Sequence, residues 1–196
     1  MPKFILFIAL LTFSFKINAQ DIADLEAFEK AIKPGTQITY DVTTKEAQYK
    51  LTITLKKLGN EMAFDWKTTE NKSGSVSVSA NAMANANALF STFTGGNSNL
   101  DKETSFWLSK KMVNDVNATT QTSIKLKGSS DTATVMSNAT TSMGFTLDGN
   151  FVNLSAWELQ GGDPKCTVDV LESSKFPLIY KLDIGWSMVL SEIKSQ

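Results

Sequence analysis

The chain has 196 residues, 42% of them hydrophobic, with 19 basic and 20 acidic side chains and a formal charge of −1. Every basic residue is lysine and there is no histidine. This excludes Ser-His-Asp and Cys-His catalysis, disfavours most zinc and copper sites, and removes the bidentate arginine grip on phosphate; the charge balance does not favour nucleic acid.

The first segment reads as an export signal. Lys3 precedes an apolar run from Phe4 to Leu11 that extends to Phe15, and a polar tract leads to Ile17-Asn18-Ala19. Charged, apolar and small residues in that order describe a secretory signal, with a cut before Gln20. The run is shorter than the roughly 20 residues that span a bilayer. Removing 19 of 196 residues leaves 177, enough for one well-buried domain over residues 20–196. Removing Lys3 and Lys16 moves the charge from −1 to −3. No cysteine lies at the cut, so no lipid anchor is expected there. The single cysteine, Cys166, reads as a small buried hydrophobe. The expected location is periplasmic or secreted.

An amphipathic helix follows, with Ile22, Leu25, Phe28 and Ile32 on one face and Pro34-Gly35 as its stop. The period then changes to two. Ile38, Tyr40 and Val42, then Tyr49, Leu51, Ile53 and Leu55, then Met62, Phe64 and Trp66 alternate with polar residues. A Gly59-Asn60 turn separates the last two runs, and Val76 and Val78 continue the alternation. This is an antiparallel meander with one buried face.

The middle of the chain is rich in Ser, Thr and Asn. Residues 81–90 read as an Ala-rich helix, with Phe93 beyond it and Gly95-Gly96 as the stop. A loop is expected through Asn97-Ser98-Asn99, a strand over Thr104–Leu108, and a short helix capped by Ser109. Strands resume at Ile124 and Leu126, with a turn over Gly128–Asp131 and a return from Thr132. Asp148-Gly149 is a two-residue hairpin signal. Trp157 and Leu159, then Val168 and Val170, alternate before Ser173-Ser174. A strand over Phe176–Leu182 and a turn at Asp183-Ile184-Gly185 lead to Trp186, Met188 and Leu190. The expected fold is mainly β: a curved antiparallel sheet, barrel or half-barrel, of about ten strands with two or three short helices.

The strand carboxylates Asp65, Glu158 and Asp169 hold the polar phase and read as a solvated face; with Glu172 and Asp183 they are the only candidates for a two-carboxylate hydrolase. No cofactor or metal site is legible. The opening Gly35-Thr-Gln-Ile-Thr-Tyr-Asp-Val42, the closing Lys175-Phe-Pro-Leu-Ile-Tyr-Lys-Leu182, and Gly185-Trp186 after it resemble the first and last strands of periplasmic half-barrels of the lipoprotein-carrier type. A signal ending in Asn-Ala-Gln resembles those of exported proteins of Gram-negative bacteria. That resemblance implies an apolar concave surface closed by short helices.

The functional expectation is a non-enzymatic binder of an apolar ligand in the cell envelope, a lipid, acyl chain or exported peptide, with an apolar small molecule or an envelope protein as the expected partner. Tyr40, Phe64, Trp66, Trp186 and Met188 are the candidate ligand-binding residues. The alternatives are a β-sandwich that binds polysaccharide or an envelope partner through aligned outer aromatics, and a hydrolase using carboxylates alone.

Overall fold

The computed structural model describes residues 19–126, 132–161 and 165–196. The expected signal segment, apart from Ala19, lies outside the described residues. So do the Gly128–Asp131 turn and most of the turn before Lys165.

The helix α1 (Ala19–Ala31) is followed by the meander β1 (Gln37–Thr43), β2 (Gln48–Lys57), β3 (Met62–Thr68) and β4 (Ser73–Val78). Then come α2 (Ala80–Asn85), β5 (Ala88–Leu89), β6 (Gly96–Leu100) and α3 (Lys110–Thr119). The chain ends with β7 (Gln121–Leu126), β8 (Thr132–Leu147), β9 (Asn150–Gly161), β10 (Cys166–Leu171), β11 (Ile179–Asp183) and β12 (Ser187–Lys194). The fold is therefore mainly β, with twelve strands and three helices among the described residues.

All twelve strands belong to one sheet in the order β5-β7-β8-β9-β10-β11-β12-β1-β2-β3-β4-β6. A further pairing of β8 with β12 closes a five-stranded ring. Chain direction dictates the sense of that closure. Four successive antiparallel pairings from β8 to β12 return the chain to its starting direction, so the closing pair, Thr146 with Glu192 and Leu147 with Ile193, is parallel.

The meander forms as its alternation predicts. Ile38, Tyr40, Val42, Leu51, Ile53, Leu55, Phe64 and Trp66 are all buried on one face. At the β8–β9 hairpin, Asp148 (φ 49°) and Gly149 (φ 84°) supply the two left-handed residues that such a tight turn demands. In β9 the buried residues are Val152, Leu154 and Ala156, and then Leu159, so the buried phase slips by one. A bulge between Ser137 and Ala139 of β8 lies opposite the slip. Helix α1 covers the tip half of this hairpin: Phe28 meets Phe145 edge-on at 6.2 Å, and the Asn153 amide donates to Asp24 at 3.0 Å. Ile22, expected on the packed face, is half exposed.

The middle departs from its expected elements. Helix α2 stops at Asn85, and Ala88-Leu89 pair instead with Lys125-Leu126 of β7. The expected loop over residues 97–99 is part of β6, which runs parallel to β4. The expected strand over Thr104–Leu108 is an irregular segment making isolated bridges, Thr104 to Leu89 and Trp107 to Leu178. In each case distant backbone partners override weak local preference. Ser109 caps α3 as expected, accepting from the Met112 amide at 3.1 Å.

One consequence governs the site. The two end strands of the sheet, β5 and β6, are close neighbours in sequence. The segment from Ala88 to Ser109 therefore joins the two ends of the curved sheet and fills its concave face. Phe106 stacks on Tyr40 (5.1 Å, 24°) and meets Phe64 edge-on at 5.3 Å; Phe93 stacks on Phe106 and meets Trp66 edge-on. Phe106 is held at φ 55°, with the Trp107 amide donating to the Ser105 carbonyl at 2.6 Å across it. The Ile179 amide donates to the Phe106 carbonyl and so pins this segment to β11.

Candidate functional site

At one end of the concave face lies a cleft of about 630 Å³. Its apolar wall comes from four parts of the chain. Val42 of β1 and Tyr49 and Leu51 of β2 form one side. Phe93 reaches in from the segment between β5 and β6, Leu126 ends β7, and Ile184 and Trp186 belong to the β11–β12 turn. That turn is tight because Gly185 takes φ 92° and the Ile184 amide donates to the Trp186 carbonyl at 3.0 Å, which holds the half-buried indole at the rim. The rim also carries Lys72, Lys165 and the hydroxyls of Ser91, Thr92 and Thr94.

Of the five residues expected to bind ligand, Trp186 lines the cleft. Met188 lies beneath it, against a small enclosed void shared with Phe93, Phe106 and Trp186. Tyr40 and Phe64 are buried in the core, where Phe106 occupies the surface they present; Trp66 is buried against Phe93. The Tyr40 hydroxyl donates to the Ile179 carbonyl at 2.9 Å, and burial pushes its pKa well above the usual phenol range. Tyr49, Leu51, Phe93, Leu126 and Ile184 are cleft residues that sequence reasoning did not single out as ligand contacts. Their apolar character was visible; their convergence depends on the sheet's curvature.

The carboxylates divide. Asp65 behaves as expected of a surface acid: Lys56 at 2.9 Å and Ser75 at 2.8 Å hold its pKa below the usual value. Asp169 does not. It is 2% exposed, because β10 is buried on both faces from Val168 to Leu171. One of its carboxylate oxygens, Oδ1, has no hydrogen-bond partner among the described residues. Burial raises its pKa to about 6, with Lys181 opposing and Glu158 adding to the shift. Glu158 and Lys181 are its cross-strand neighbours, and none of the three lines the cleft. The expected solvated face is thus corrected at Asp169.

Cys166 is buried, and burial raises the thiol's pKa. Among the described residues no group of three or more Cys, Asp or Glu side chains is placed to hold a metal ion, and no helix is long and apolar enough to cross a membrane. None of the tryptophans forms an exposed outer row: Trp66 and Trp107 are buried, and Trp157 and Trp186 are half-buried.

No protein-family model, no curated protein and no solved structure matches this chain.

Proposed function

We propose that this protein is a non-enzymatic binder that holds an apolar chain in the cleft between Phe93 and Trp186. The cleft itself carries the reading. It is concave, Val42, Leu51, Phe93, Leu126, Ile184 and Trp186 give it a continuous apolar side beside a polar one, and its volume of about 630 Å³ falls inside the roughly 300–1,000 Å³ range of small-molecule sites. Burial of the ligand supplies affinity at about 25 cal/mol per Å² of apolar area removed from water. The rigid sheet supplies Val42 and Leu51 in fixed positions, so little ordering cost falls on the protein when a ligand enters. The charged, apolar and small order of residues 1–19 supports export, which would place this activity in the periplasm or outside the cell.

The test is calorimetric titration with dodecanol, an uncharged single-chain probe. The wild-type protein binds it, and Trp186→Ala weakens binding about tenfold. Trp157→Ala, which removes another half-buried indole away from the cleft, leaves affinity unchanged. Absence of binding, or equal affinity in wild type and Trp186→Ala, defeats the proposal.

A further inference from the structure

The charge around the cleft is one-sided, and from it we infer that the ligand is a single-chain amphiphile with a carboxylate head. This rests on the apolar reading above and specifies the chemistry of the same site. Among the described residues, the charged side chains that line the cleft are Lys72 and Lys165. They sit on different parts of the chain, Lys72 just before β4 and Lys165 just before β10, so the sheet's curvature brings two cations to one rim.

Their states differ. The Lys72 ammonium is 3.1 Å from a carboxylate oxygen of Glu70, a rim neighbour outside the lining. Burial raises the pKa of the Tyr49 phenol, Glu70 adds to the rise and Lys72 opposes it, so this pair sits beside the cleft wall. Lys165 has no ion-pair partner among the described residues. Among the described residues of this rim, two ammonium groups against one carboxylate leave about one net positive charge beside the cleft's apolar side. The hydroxyls of Ser91, Thr92 and Thr94 make no side-chain hydrogen bond among the described residues, and their O–H groups are available to donate to an anion.

This chemistry selects among amphiphiles. A quaternary ammonium head meets like charge. A neutral alcohol gains the apolar wall and nothing from Lys165. A phosphate dianion brings more charge than the rim neutralises, and the chain has no arginine with which to grip it bidentately. A carboxylate monoanion matches the single net charge and can accept from Lys165 and the rim hydroxyls at once, its alkyl chain lying along Leu51, Phe93 and Trp186.

Calorimetric titration of the full protein at neutral pH separates these cases, with dodecanoate, dodecanol, dodecyl phosphate and dodecyltrimethylammonium each held below its micellar concentration. Dodecanoate is expected to bind about tenfold more tightly than dodecanol. That preference should shrink with added salt and largely disappear in Lys165→Gln, while Lys110→Gln, on the exposed start of α3, retains it. Glu70→Gln, which releases Lys72, should tighten dodecanoate about threefold. Equal affinity for dodecanoate and dodecanol overturns the head-group inference while the apolar cleft stands. Tighter binding of dodecyl phosphate or of the ammonium amphiphile overturns it in favour of that head. Failure of all four to bind removes the proposed function and this inference together.

Discussion

The hydroxyl of Tyr40 donates a 2.9 Å hydrogen bond to the carbonyl of Ile179, joining strands 139 residues apart in sequence. A buried phenol needs such a partner, and this one ties the first strand of the meander to the start of β11 in the closed ring. Tyr40→Phe keeps the ring stacked on Phe106 and removes only the hydroxyl. It should destabilise the fold by about 1 kcal/mol, seen as a lower midpoint of urea unfolding with an unchanged slope. Dodecanol affinity should be unaltered, because Tyr40 supports the core and does not line the cleft.

Phe106 tests whether the chain itself occupies the concave face. Its ring lies between Tyr40 and Phe93 and is 2% exposed. Phe106→Ala should cost about 3–5 kcal/mol through lost burial and the cavity left behind. The void above Met188 should then open into the cleft, so the variant should bind bulkier apolar probes that wild type refuses. An unfolding midpoint close to wild type would show that this segment does not form the core.

Two glycines give opposite expectations. Gly149 sits at φ 84° with open space where a Cβ would project, so Gly149→Ala costs only backbone strain, about 1 kcal/mol. Gly74 has ordinary backbone, but a Cβ there would collide with the Gly96 carbonyl of the adjacent strand and press on the Trp66 indole. Gly74→Ala should separate β4 from β6 and lower the unfolding midpoint well beyond Gly149→Ala. Comparing the two midpoints decides the matter.

Asp169 should make stability depend on pH in a definite direction. Its folded-state pKa, about 6, lies above the ordinary 3.8, so the folded state binds the proton more tightly. Its contribution to stability is full below pH 3.8, is lost as pH rises toward 6, and stays lost above that. Asp169→Asn removes the charge that burial penalises. It should be more stable than wild type at pH 8 by on the order of 2 kcal/mol, and the gap should narrow on acidification to below pH 4. A gap that does not vary with pH would show that Asp169 is not titrating in this window.

The regular parts of the fold were legible because local signals and tertiary demands agree. The alternation of Ile38, Tyr40 and Val42 needs only one buried face, and Asp148-Gly149 needs only the left-handed backbone of its turn. The cap at Ser109 is likewise local. Residues 86–108 were not legible for the opposite reason. Gly96-Asn97-Ser98-Asn99 has little strand preference of its own and becomes β6 because β4 offers an unpaired edge. Asp169 holds a polar phase in sequence, yet β10 lies deep enough in the sheet to be covered on both faces, which alternation alone does not report. At the site, Trp186 was legible as an aromatic in the apolar phase. Phe93, Leu126 and Lys165 were not, since only the closing of the sheet brings them to the same cleft.

The central claim is that an apolar chain lies between Phe93 and Trp186, and a crystal structure with a terminally brominated dodecanol tests it most directly. The account predicts anomalous bromine density inside the cleft walled by Leu51, Phe93 and Trp186. Bromine found only elsewhere, for instance beside the exposed Phe151 at the β8–β9 hairpin, with the cleft empty, would contradict it.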